Sequence, residues 1–111
     1  MPTATLDDAF EALANGHRRD IVAALSAQPM ETPALLARYE ISRQALNRHV
    51  QILEQAGLVR RERRGRVQRL ELVGDAVAEV IDWLSTVRLA WESSLDQLGR
   101  VLAESTEEES P

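Results

Sequence analysis

The chain has 111 residues, with 13 arginines, no lysine, 18 acidic residues and no cysteine, and its formal net charge is −5. This length predicts a single domain with a modest core, and the lack of cysteine excludes disulfides, thiolate metal ligands and cysteine redox chemistry. The N-terminal segment is acidic and has no apolar run, so we expect no signal peptide, no membrane span and a cytoplasmic location.

Four helices are predicted in the first half of the chain, because polar capping residues precede apolar residues at helical spacing. The predicted helices run from Thr5 to Asn15-Gly16, from His17 to Ala27, from Thr32 to about Tyr39, and from Ser42 to Gly57. The last two are joined by only a few residues, which is typical of a helix-turn-helix.

The second half changes character. Leu58–Arg63 and Arg66–Leu72 are predicted to be short strands around Arg64-Gly65, a hairpin turn signal. From Asp75 to about Ala103, apolar residues recur every three or four positions, which predicts one long amphipathic helix. We therefore expect a mainly α, winged helix-turn-helix fold: about five helices, with a two-stranded β-wing between the fourth helix and the last. The predicted division is one domain of residues 5–103 and an acidic disordered tail of residues 104–111.

One short stretch of this acidic chain is strongly basic. From Arg38 to Arg69 there are nine arginines against three glutamates, whereas the rest of the chain has four arginines against fifteen acidic residues. Such an asymmetry is the electrostatic footprint of a surface that binds phosphates. DNA is therefore the first partner that the sequence suggests.

The predicted fourth helix has the residue types needed to read a DNA major groove. Leu46, Val50 and Leu53 form its apolar face, so the polar residues of its first turns lie on the other face. Arginine can bond guanine, and glutamine and asparagine can bond adenine, at the helix start where recognition helices touch bases. The alternative is a polar face that is merely solvated. The candidate DNA-binding residues on this helix are Ser42, Arg43, Gln44, Asn47 and Arg48.

The predicted hairpin holds six arginines, which repel one another unless an anion lies beside them. Arg64 and Arg66 at its tip are candidates for contact with the DNA backbone or the minor groove. Arg61, together with Arg18 and Arg19 on the second helix, is a further candidate for phosphate contacts. An edge hairpin kept soluble by charge is the alternative, but it explains one or two arginines and not six.

The run S-x-x-A-L-x-R-H-V-x-x-L-x-x-A-G-L-V, from Ser42 to Val59, leads into the arginine-rich hairpin. This pattern resembles the ArsR/SmtB-type winged-helix repressors, and the resemblance covers about Leu6 to Leu102. It implies that the helix capped by Ser42 is the recognition helix and that the first and last helices build a symmetric dimer. The implied activity is repression of an operator in double-stranded DNA, relieved by an effector.

The metal sites of that family are not expected in this chain. Members that bind metal through cysteines have them where this sequence has Thr32 and Ala34, and other members use histidine pairs on the last helix, which has no histidine here. The only histidines are His17 and His49, and we expect His49 to pack or bond beside the recognition helix. We expect no metal, no cofactor and no enzymatic activity, and the effector is unknown.

The last helix carries both tryptophans of the chain within an apolar stripe that is too long for a small domain to cover. We expect a homodimer in which paired helices bury this stripe. In a competing interpretation, Trp83 and Trp91 also line a pocket for an apolar effector or a partner. For the whole protein, the alternative function is a winged-helix module that binds an acidic protein. The predicted dimer interface consists of Leu6, Phe10, Val80, Trp83, Leu84, Val87, Trp91, Leu95 and Leu98.

Overall fold

A computed structural model of the chain describes residues 4–109, which form five helices and three strands. The elements are α1 (Leu6–Ala12), α2 (Gly16–Ala27), β1 (Met30–Glu31), α3 (Thr32–Leu36), α4 (Arg43–Gln55), β2 (Val59–Arg64), β3 (Val67–Leu72) and α5 (Gly74–Glu109). The three strands form one antiparallel sheet in the order β1-β3-β2. The predicted winged helix-turn-helix fold is thereby confirmed, with one strand more than expected.

The chain divides into two compact units, residues 1–80 and residues 81–111. Val80 is buried, whereas all of residues 81–105 are exposed. The division into one domain of residues 5–103 and a tail stays a prediction.

The first unit has a continuous apolar core. On α4, Leu46, Val50 and Leu53 are at most 1% exposed, as predicted from their spacing. Leu70 on the central strand β3 is fully buried against them. This core fixes which face of α4 is turned outward. Its other members are Ala9, Ala12, Ile21, Ala24, Leu25, Leu35, Ala56, Leu58, Val59 and Val80.

Helix starts follow the predicted capping chemistry at Thr5 but not at Thr32. The Thr5 hydroxyl accepts from the backbone N–H of Asp8, whose carboxylate accepts from the backbone N–H of Thr5, so a capping box starts α1. Asn15 was predicted to end α1, but its side chain caps the start of α2 instead. The prediction that Thr32 caps α3 is wrong, because its hydroxyl donates to the backbone oxygen of Gln68 on β3 at 3.3 Å.

That bond accompanies the strand missed from the sequence. Met30 pairs with Leu70 and Glu31 with Arg69, which joins β1 to β3 across about forty residues of chain. Two residues are too few to show an alternating apolar pattern.

The last helix is longer than predicted. It continues to Glu109, so residues 104–109, predicted as part of a disordered tail, are helical. Glutamate is a good helix former, and no proline or glycine interrupts the helix after Gly99. Ser110 and Pro111 lie outside the described residues.

Candidate nucleic-acid interface

The start of α4 presents the predicted base-reading residues. The Ser42 hydroxyl accepts from the backbone N–H of Ala45 at 3.1 Å, and this bond caps the helix. Arg43, Gln44 and Arg48 are exposed, and Asn47 is half-buried. The capped end of α4 therefore displays guanidinium and amide groups to solvent, beside a helix terminus that favours anions.

The other end of α4 is closed by a tight backbone motif that leads into the wing. Gly57 has φ +78°, and its N–H donates to the Glu54 oxygen at 2.9 Å. The N–H of Leu58 donates to the Leu53 oxygen at 3.0 Å, which completes a Schellman motif. The predicted role of Gly57 as the C-terminal cap is confirmed, and the motif directs the chain from α4 straight into β2.

The wing is a hairpin whose turn lies one residue later than predicted. Arg64 pairs with Val67, so the two-residue loop is Gly65-Arg66 and not Arg64-Gly65. Gly65 has φ +65°, whereas no other residue type among the described residues has a positive φ. A positive φ at the first loop position alone is typical of a type II′ turn, which suits the right-handed twist of paired strands.

The register decides which arginines face the helices. Successive side chains of a strand point to opposite faces, so Arg61 and Arg63 share the face of buried Val59, opposite Leu70 and Gln68 of β3.

The other face of the wing is partly neutralised by its own carboxylates. Arg60 is paired with Glu71, and this hydrogen bond holds the pKa of Glu71 below its usual range. Arg64 lies 3.4 Å from Glu62 and is 62% exposed. Its contact with DNA stays a prediction, but it is on the face of the wing turned away from the core.

Three arginines of the wing form no ion pair within the described part of the chain. Among residues 4–109, Arg63, Arg66 and Arg69 have no carboxylate within ion-pair distance. Arg63 instead donates to the backbone oxygen of Gly65 at 3.2 Å, which ties it to the turn. The repulsion expected from six arginines is therefore reduced, and what remains is concentrated around the tip.

A cleft of about 320 Å³ lies between the start of α4, the start of α3 and the wing. Three arginines line it, Arg43, Arg63 and Arg66, together with Asn47 and Gln68. Arg63 and Gln68 are not among the predicted DNA-binding residues, although counting alternate positions from Val59 would have found Arg63. The remaining lining residues are Thr32, Pro33, Leu36 and Val67.

Arg61 has a different environment from the one predicted. Its guanidinium donates to the Glu54 carboxylate, the Gln68 side chain and the Asn47 backbone oxygen, and its side chain is only 21% exposed. All three nitrogens donate to protein acceptors, and contact of Arg61 with a phosphate stays a prediction.

The two arginines at the start of α2 contact the end of α1. Arg18 donates through Nε to the Ala12 oxygen at 2.5 Å, and Arg19 donates through Nη1 to the Leu13 oxygen at 2.9 Å. Arg18 is half-buried and its Nη1 lies 3.4 Å from His49 Nδ1 on α4. Arg18 therefore connects the end of α1 to α4, and the exposed Arg19 remains a candidate for phosphate contact.

The residues predicted for a dimer interface fall into three groups. Val80 is 7% exposed and packs in the core of its own chain, so little of its surface is left for a partner, and its place in the interface stays a prediction. Leu6 and Phe10 are half-buried against the same core. The remaining six are 44–65% exposed on α5: Trp83, Leu84, Val87, Trp91, Leu95 and Leu98.

Among residues 4–109, no helix is both long and apolar enough to cross a membrane. No three His, Cys, Asp or Glu side chains come together there in a way that could hold a metal ion.

Comparison with known proteins agrees with this architecture. The sequence model of a family described as a helix-turn-helix domain matches residues 13–62. The crystal structure of an ArsR family transcriptional regulator is 27% identical, with a TM-score of 0.69 over 82% of this chain and 98% of that chain. An ArsR-like transcriptional regulator from Rhodococcus sp. RHA1 is 26% identical, with a TM-score of 0.65 over 86% of this chain and 91% of that chain. HlyU from Vibrio cholerae is 26% identical, with a TM-score of 0.62 over 72% of this chain and 87% of that chain.

No curated protein matches the sequence. The helix-turn-helix match, the wing that follows it and the agreement with these structures along most of the chain show a winged helix-turn-helix protein that is similar to ArsR-family transcriptional regulators.

Proposed function

We propose that the protein is a cytoplasmic, homodimeric transcriptional repressor that binds an operator of defined sequence. One observation carries this proposal: the exposed polar residues at the capped start of α4 lie beside a cleft lined by arginines of the wing. Amide and guanidinium groups suit base edges, and clustered guanidinium groups suit phosphates.

The two sets of side chains have different roles in this proposal. Arg43, Gln44, Asn47 and Arg48 read base edges in the major groove, with the helix start held by the Ser42 cap. The wing arginines Arg63, Arg64 and Arg66 hold the backbone or the minor groove, which adds affinity without choosing a sequence. Loss of a base-reading residue should therefore change specificity, and loss of a wing arginine should change affinity for all DNA.

The dimer is proposed from the apolar surface of the second unit. Ten large apolar side chains between Ile81 and Leu102 are at least 44% exposed, and few monomeric proteins expose a patch of this kind. A second copy of the same helix offers a matching stripe, since a two-fold interface is self-complementary. The operator should then be an imperfect palindrome with half-sites about 10 base pairs apart.

The effector proposed is not a metal ion. The chain has no cysteine, and its last helix has no histidine. Release from DNA would instead follow the binding of a non-metal ligand or of a protein partner.

Selection of binding sites from a library of duplexes tests the DNA-binding proposal. Gln44→Ala and Asn47→Ala should each weaken discrimination at one base position by about 1–3 kcal/mol. Gln55→Ala is the matched control, because Gln55 lies on the same helix about 16 Å beyond Gln44 and about 12 Å beyond Asn47 along the axis, at 1.5 Å per residue. Unchanged base preference in the Gln44 and Asn47 variants contradicts the recognition-helix role.

Transcription in vitro tests the regulatory sign. A promoter that overlaps the selected site should produce less transcript when the protein is added, because the bound dimer blocks the polymerase. Increased transcription would contradict repression while leaving DNA binding intact.

A further inference from the structure

We propose that Arg61 is a positioning residue, which fixes the wing against the recognition helix and so determines how sharply the protein discriminates between DNA sequences. The inference rests on the proposed DNA-binding function. In this proposal, Arg61 affects DNA binding by holding other residues in place and not by contacting a phosphate.

The contacts of Arg61 join the two elements that carry the proposed DNA contacts. From β2, its Nε donates to the Glu54 carboxylate on α4 at 2.7 Å. Its Nη2 donates to the backbone oxygen of Asn47 at 3.2 Å, at the residue proposed to read a base. One planar guanidinium therefore holds α4 at two points separated by two helical turns.

The third contact continues this connection into the rest of the first unit. Arg61 Nη1 donates to the side-chain oxygen of Gln68 on β3 at 3.1 Å. The backbone oxygen of Gln68 in turn accepts from the hydroxyl of Thr32 at the start of α3. A chain of hydrogen bonds thus runs from α3 through β3 and β2 to α4.

Two of these partners face the arginine-lined cleft while Arg61 does not. Asn47 and Gln68 line the cleft, and Arg61 is absent from its wall. The Arg61 side chain is 21% exposed and its Glu54 partner is 34% exposed, so the pair is shielded from water more than a surface pair. Three of the five N–H groups of this guanidinium donate to protein acceptors, one from each nitrogen, and the residue acts by holding Asn47 and Gln68 in place.

Shape-matched variants separate positioning from charge. Arg61→Met removes a positive charge and Glu54→Met removes a negative one, yet both break the same contact. An electrostatic effect predicts opposite changes in DNA affinity for the two variants. Positioning predicts that both lower the ratio of affinities for the selected operator and for random duplex, by about tenfold, comparable to the loss of one base contact.

The salt dependence of binding gives a second readout. The slope of log affinity against log salt concentration should stay at the wild-type value in Arg61→Met, because no phosphate contact is lost. In Arg63→Met the slope should become shallower by about 0.9, the contribution of one phosphate. Arg60→Met is the matched control for loss of a positive charge on the same strand. Arg60 lies on the face of the wing opposite to Arg61, where it is paired with Glu71. It should leave the affinity ratio within about twofold of the wild type.

Four results would overturn the assignment. Two concern DNA affinity: a shallower salt slope in Arg61→Met, or opposite affinity changes in Arg61→Met and Glu54→Met. The others are an unchanged ratio of operator to random-duplex affinity with only a lower melting temperature, and an Arg61→Lys variant whose affinity ratio equals that of the wild type. Lysine keeps the positive charge but lacks the planar guanidinium that donates to three acceptors, so rescue by lysine would mean that charge alone matters. All variants are measured at a temperature where circular dichroism shows them folded. Glu54→Met changes a half-exposed residue in the last turn of α4, so it tests the contact even if Arg61→Met unfolds. If wild-type protein shows no sequence preference at all, the proposed function fails, and that outcome is distinct from any of these.

Discussion

The proposed dimer leads to a quantitative prediction about two leucines of α5. Leu84 and Leu95 are each 48% exposed, so a partner helix can bury about half of each side chain. Full burial of a leucine contributes about 1.5–3 kcal/mol, so burying the remaining half contributes about 1 kcal/mol. Replacing both by alanine in both subunits should then weaken the dimer by about 4 kcal/mol, or about a thousandfold in its dissociation constant.

The helix itself should survive this change, because alanine is the strongest helix former. Leu89→Ala is the matched control: Leu89 is 62% exposed, and at about 100° per residue it points at least 120° away from both Leu84 and Leu95. Sedimentation across a concentration series measures the dissociation constants. The reasoning is refuted if the wild type is a folded monomer at micromolar concentration, or if Leu89→Ala weakens association as much as the double variant.

Three further predictions concern the fold and the effector. Gly57→Ala should lower the free energy of unfolding by about 1–2 kcal/mol, because φ is +78° there and the new Cβ would lie 3.3 Å from Ala4. Gly99→Ala should raise the free energy of unfolding by about 0.5–1 kcal/mol, because Gly99 lies in a helix with open space beside it. Urea titrations that show a change of the same sign for both variants would contradict this prediction. Burial and the neighbouring Arg18 guanidinium lower the pKa of His49 below 6.5, so the unfolded chain takes up a proton first and the free energy of unfolding should fall as the pH is lowered through about 6.5. His49→Gln should flatten that dependence, and an unchanged pH profile in this variant would disprove the assignment. Zinc, arsenite and cadmium should leave the protein bound to its operator, and stoichiometric metal binding by calorimetry with release from DNA would show a metal site.

The charge of the wing explains why an acidic protein can be a DNA-binding one. Arg60 and Arg64 are offset by carboxylates on the outer face of the hairpin, whereas Arg63 and Arg66 line a cleft shared with α4. Positive potential is therefore concentrated at one place on the first unit rather than spread over the chain. Net charge alone would have pointed away from DNA.

Helix ends and buried faces could be predicted from the sequence where they depend only on neighbouring residues. Ser42 caps α4 and Gly57 ends it, as predicted, because a hydroxyl near a helix start and a residue able to adopt positive φ act within a few residues of chain. The spacing of Leu46, Val50 and Leu53 predicted the buried face of α4, and so the exposure of Arg43 and its neighbours. The candidate recognition surface follows from these local rules alone.

The folded structure alone shows which residues far apart in sequence come into contact. It paired Met30 with Leu70 and so added a third strand, and it gave the Thr32 hydroxyl an acceptor on β3 in place of a capping role. It also placed Arg61 against Glu54 and away from the surface where its charge suggested it would lie. An arginine in a sequence pattern carries the same charge wherever it points, and whether that charge meets a carboxylate or a phosphate depends on which helix packs against its strand.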